Sequence, residues 1–125
     1  MMFIYKHMVA AVILLASVAA GLHAQQDDKV YKVGDPGVAA PTLKYSIQPR
    51  YTDEAQAQAI MGAVVIAFEI DKEGKTRNAK VVQGLDAGLD KNALAALTEW
   101  SFEPATLDGK PVACTAKTEI RFALQ

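Results

Sequence analysis

Trp100-Ser101-Phe102-Glu103-Pro104-Ala105 is the stretch on which the fold turns. Before it, Leu89, Ala93, Ala96, Leu97 and Trp100 recur at three- and four-residue steps. That spacing predicts an amphipathic helix beginning near Asp90, with a narrow, alanine-rich stripe that can pack closely on a sheet. Pro104 has no N–H to donate and ends the element. Trp100 and Phe102 then read as an aromatic pair closing the helix onto the sheet. After it, Leu107-Asp108-Gly109-Lys110-Pro111 predicts a turn, and Val112 to Leu124 alternates as a long strand. Cys114, Ala116, Thr118, Ile120, Phe122 and Leu124 share one face of that strand. Thr115, Lys117, Glu119 and Arg121 share the other.

Working upstream, Ala63 to Asp71 alternates with Val64, Ile66, Phe68 and Ile70 on one face. Lys72-Glu73-Gly74-Lys75 predicts a hairpin turn in which glycine supplies positive φ. Thr76 to Gln83 is the returning strand, with Ala79 and Val81 inward. Gly84 and Gly88 bracket a loop. A short helix is predicted over Asp53 to Ile60, with Thr52 as N-cap and Asp53 and Glu54 in the first turn, where the helix dipole favours acids. Gly62 ends it. Gln48-Pro49-Arg50-Tyr51 precedes it and is extended, because proline keeps its neighbour out of the helical region. The order helix, strand, strand, helix, strand implies an α/β (α+β) fold. Two helices pack on one face of a three-stranded antiparallel sheet, and the other face is wet.

The N-terminus is of another kind. Lys6 and His7 precede Met8 to Leu22, a run without a charge, and Leu22-His23-Ala24 leads into polar Gln25-Gln26-Asp27-Asp28. This is the layout of a signal peptide over residues 1–24. The run is short against the roughly 20 apolar residues of a membrane span. An uncleaved anchor is the alternative. Residues 25–44, with Gly34-Asp35-Pro36-Gly37 and Pro41, read as a linker, within which Val30-Tyr31-Lys32-Val33 could form a stray strand. Residues 45–125 form the folded domain.

Both histidines, His7 and His23, precede the expected cut. The remaining chain then has no histidine for a triad, a general base or a metal site. Glu69, Asp71 and Glu73 lie on an exposed strand phase and in a turn, and lack the dense oxygen spacing of a calcium loop. The expectation is no catalytic residue, no metal and no cofactor. The net charge is −1, with no basic excess to hold nucleic acid. Cys114 is the only cysteine, so no internal disulfide can form; its apolar phase predicts burial.

Trp100, Phe102 and Pro104, following Gln48-Pro49-Arg50-Tyr51 and Gly62 in this order, resemble the C-terminal domain of the TonB family from about Tyr45 to Leu124. The resemblance implies a periplasmic, non-enzymatic protein. Such a protein binds TonB-dependent outer-membrane receptors through their TonB box and couples inner-membrane energy to uptake of metal chelates such as siderophores. It implies receptor contacts at Gln48, Pro49, Arg50 and Tyr51, and a receptor strand added beside the last strand, flanked by Thr115, Lys117, Glu119 and Arg121. An exposed strand edge is a template for such pairing. The resemblance also implies an ExbB–ExbD motor as partner if the N-terminus stays anchored. The chain departs from the family at Thr52, where proline is common, and at Gly21, which follows Ser17 by one helical turn in place of histidine. It also lacks the long proline-rich spacer. A free periplasmic scaffold, or a module that forms a homodimer through its last strand, is therefore the other open reading.

Overall fold

The computed structural model describes residues 29–124. The segments read as signal peptide and as the first residues of the linker lie outside the described residues. In chain order the elements are β1 (Val30–Tyr31), β2 (Val38–Ala39), β3 (Thr42–Tyr45), α1 (Asp53–Ala57), β4 (Gly62–Ile70), β5 (Thr76–Gln83), α2 (Ala87–Leu97), β6 (Ser101–Glu103), β7 (Ala105–Leu107) and β8 (Lys110–Phe122). The two expected helices and three long strands are present. The sheet has more strands than three: β4 lies between β5 and β8, β7 and β1 also pair with β8, and β2 pairs with β7. β3 and β6 form a separate two-stranded ribbon.

Register explains the two faces. β4 and β8 are antiparallel, with Val64 opposite Ile120, Phe68 opposite Ala116 and Ile70 opposite Cys114. Because side chains alternate, this row turns toward the helices. Val64, Ile66, Ile70, Leu89, Ala93, Leu97 and Cys114 are fully buried there. Each fully buried Val, Leu or Ile contributes about 1.5–3 kcal/mol. The opposite phase carries Ala67 between Lys80 of β5 and Lys117 of β8, and Glu69 beside Arg77 and Thr115. Glu69 accepts from Arg77 Nε and Asn78 Nδ2, each at 3.0 Å. Asp71 Oδ1 accepts the N–H groups of Glu73 and Lys75, each at 2.9 Å, and so shapes the β4–β5 turn. The carboxylates of Glu69 and Asp71 are thereby used in local structure.

Three local readings are corrected. α1 stops at Ala57 rather than Ile60, because Ala59 takes a left-handed φ of 53°. The Ile60 N–H then bonds to Ala55 O and the Ala59 N–H to Gln56 O, which satisfies the last carbonyls. Gly62 instead opens β4. α2 begins at Ala87, capped by Asp86, whose carboxylate accepts from the Leu89 N–H at 3.0 Å. Asp90, expected to open this helix, reaches back to accept the Leu85 N–H at 2.9 Å. Third, α2 ends at Leu97, seven residues before Pro104, and Ser101–Glu103 is strand β6.

Cys114 is fully buried, and burial raises its thiol pKa above the ordinary 9.0. Above that pH the unfolded thiol ionises while the folded one keeps its proton, so the folded state binds more protons and stability falls as pH rises. The expected slope approaches about 1.4 kcal/mol per pH unit between the two pKa values. Urea unfolding at several alkaline pH values should show this decline for the natural chain and a shallower one for Cys114→Ala. Equal slopes would mean the thiol titrates alike in both states.

Candidate functional site

The segment Gln48–Tyr51 is stapled at both ends. Trp100 Nε1 donates to Ile47 O at 3.2 Å, and Asn92 Nδ2 donates to Arg50 O at 2.7 Å. The Tyr51 hydroxyl donates to Ile60 O at 2.8 Å, while its ring meets Phe122 edge-on with centroids 5.4 Å apart. Tyr51 is therefore half-buried and packs on the end of β8. Gln48 and Arg50 point to solvent, and Pro49 is half-buried. Thr52 caps α1 by accepting the Ala55 N–H at 3.0 Å.

Thr115, Lys117, Glu119 and Arg121 are all exposed on the outer phase of β8. Glu119 and Arg121 pair with each other at 2.9 Å. Lys117 has no side-chain partner among the described residues. The edge beside them is the distinctive feature. Cys114 is in register with Ile70 of β4 and with Tyr31 of β1, so those two strands lie on opposite edges of β8. β4 covers its edge as far as Phe122. β1 covers the other at Ala113 and Cys114 alone. From Thr115 to Phe122 no strand pairs with that second edge among the described residues. Its N–H and C=O groups are open to an added strand.

A cleft of about 800 Å³ adjoins the start of this edge. One side is Thr115 to Thr118. Behind it stand Phe68, Phe102 and Trp100, with Phe102 centroids 5.9 Å from Phe68 and 6.4 Å from Trp100. The far wall is Lys32, Val33, Pro41 and Leu43, from the stretch read as a linker. That stretch is laid down as β1 on β8, β2 on β7 and β3 on β6. The Asp35 carboxylate accepts the Lys32 N–H at 2.8 Å and turns the chain off the β8 edge after Tyr31. Sequence reading missed this wall. Its only sign was the alternating Val30 to Val33 run.

The fold and edge define a class: a small α+β domain with two helices on one sheet face and an unpaired edge on its last strand. The family model described as Gram-negative bacterial TonB protein C-terminal matches residues 47–124, and the chain belongs to that family. It is similar to Protein TonB of Vibrio cholerae, 37% identical over 81 residues, covering 63% of this chain and 33% of that one. Protein TonB of Pseudomonas aeruginosa is 31% identical over 78 residues, covering 62% and 23%. The chain thus spans a third or less of the length of these two relatives. In fold it matches the solution NMR structure of the Pseudomonas aeruginosa TonB CTD, with a TM-score of 0.53 and 24% identity, over 75% of this chain and 95% of that chain.

Proposed function

We propose that this protein works in the periplasm as a non-enzymatic TonB-like module. It binds TonB-dependent outer-membrane receptors by accepting a receptor segment as an extra strand on the Thr115–Phe122 edge of β8. In that role it serves energy-coupled transport of metal chelates such as siderophores. The observation that carries the reading is the open edge. A stretch of strand edge left unpaired invites main-chain pairing, which supplies affinity without demanding one peptide sequence. Membership of the TonB C-terminal family supports the choice of partner. Tyr51 and its neighbours, held against Phe122 at the end of the same strand, would form a second contact through exposed Gln48 and Arg50.

The test is an NMR titration of residues 25–125, which carry every described element, with TonB-box peptides from the host's own receptors. Saturable amide shifts should concentrate at Thr115–Phe122 and around Gln48–Tyr51. Unmoved amides at millimolar peptide would overturn receptor binding at this edge.

A further inference from the structure

We propose that the cleft beside β8 selects the incoming strand: it takes a bulky apolar side chain beside Ala116, next in sequence to an acidic residue beside Lys117. This rests on strand addition at the β8 edge and specifies its partner.

Residues on an added strand share a face with the β8 residues they lie beside. Ala116 belongs to the helix-side row, opposite Phe68 of β4. A peptide residue beside Ala116 therefore points into the cleft. Ala116 is small and half-buried, so the space beyond its methyl group is left to the newcomer. That space is faced by Trp100, Phe102 and Leu43, and Leu43 stands 48% exposed with its apolar surface toward the cleft. A Leu or Phe there would bury both its own surface and that of Leu43.

On a strand running parallel to β8, as β1 does on the same edge, the next peptide residue lies beside Lys117 and points to the outer face. There Lys117 shares a row with Lys80, across Ala67. Neither lysine has a side-chain partner among the described residues. The local charge complements an acid and opposes a base. One position further, Glu119 and Arg121 already neutralise each other and add little preference. The apolar wall comes from Val33, Pro41 and Leu43, upstream of the family-matched residues 47–124. The leucine preference thus depends in part on this chain's own leading segment, while Trp100, Phe102 and Lys117 lie within the matched residues.

The experiment uses the full chain and blocked nine-residue threonine peptides with a central Leu-Glu, Ala-Glu or Leu-Lys pair. Two readouts are taken together: β8 amide shifts, which report edge pairing, and emission from Trp100, the only tryptophan, which reports the cleft. The Leu-Glu peptide should bind about tenfold tighter than Ala-Glu, and only leucine peptides should move Trp100 emission. It should bind about threefold tighter than Leu-Lys at low salt, a margin lost at high salt. Leu43→Ser lies on the surface and leaves the core untouched. It should abolish most of the leucine preference, bringing Leu-Glu affinity close to that of Ala-Glu. Lys117→Met should remove the Glu preference alone. Edge shifts of equal affinity for Leu-Glu and Ala-Glu, with Trp100 unmoved, would overturn the cleft assignment and leave strand addition standing. Silence of Thr115–Phe122 with every peptide would overturn both.

Discussion

Gly74→Ala should cost about 4 kcal/mol, a large share of the roughly 5–15 kcal/mol that holds a domain of this size together. Two causes add. Gly74 sits in the β4–β5 turn at φ +85°, where a side chain costs about 1–2 kcal/mol. Gly74 is also buried under β6. An added Cβ would lie 2.9 Å from the Phe102 carbonyl carbon and closer still to its oxygen. Backbone cannot swing aside as a side-chain tip can. β6 must move, and with it the 2.9 Å bond from the Phe102 N–H to Gly74 O and the Lys75–Ser101 bridge. Losing a buried bond and its partner's satisfaction costs about 1–3 kcal/mol. Gly109→Ala is the control. Gly109 has a similar φ of +80° in the β7–β8 turn, yet nothing lies within 4 Å of its would-be Cβ. It should lose only about 1–2 kcal/mol. Urea unfolding followed by Trp100 emission compares the two. Equal losses would show that dihedral strain alone sets the cost, and that β6 does not bear on the turn.

That contrast also marks where sequence reading stops. Lys72-Glu73-Gly74-Lys75 announces a turn, because local chemistry alone demands positive φ there. It cannot announce that Phe102, 28 residues on, closes over the glycine. The long strands were legible for a similar reason: Val64, Ile66, Phe68 and Ile70 alternate over enough residues to fix their face, and the structure buries all four. Short strands carry no such period. β1 and β2 have two residues each and β6 and β7 three, and each exists because a partner edge is available, not because its own residues insist. Hence the Val30–Lys44 stretch read as part of a linker, and Ser101–Glu103 as the end of a helix. The start of α2 was misplaced because two aspartates compete, Asp86 as cap and Asp90 as the residue reaching back. Of the candidate site, the outer row Thr115, Lys117, Glu119 and Arg121 was legible from alternation. The cleft was not, since its walls come from stretches as far apart as Val33 and Trp100.

Methylating alternate peptide amides should abolish binding in one phase and spare it in the other. On an added strand, every second N–H points at β8 and the rest point away. Strands sit about 4.7–4.9 Å apart, so a methyl group in the facing phase both removes a donor and fills the gap. Each lost bond is worth about 0.5–1.5 kcal/mol, and β8 carbonyls left unmet near the apolar cleft add to the loss. Three methylations in the facing phase should therefore weaken binding by at least about a hundredfold. The same number in the other phase should change it by less than about threefold, since those amides stay in water or await no partner. Side-chain sequence is identical in the two peptides, so the difference reads main-chain pairing alone. Docking through side chains only would weaken both peptides alike. A helical ligand would lose binding in both phases, because every amide of a helix interior is spent within it. The location is fixed by β1. Val30 and Tyr31 already lie beside Ala113 and Cys114, so amide shifts should begin at Thr115 and leave those two unmoved. If instead the shifts run through Ala113 and Cys114, the peptide has displaced the chain's own leading strand. The cleft would then lose its far wall, and the preference for leucine should vanish with it.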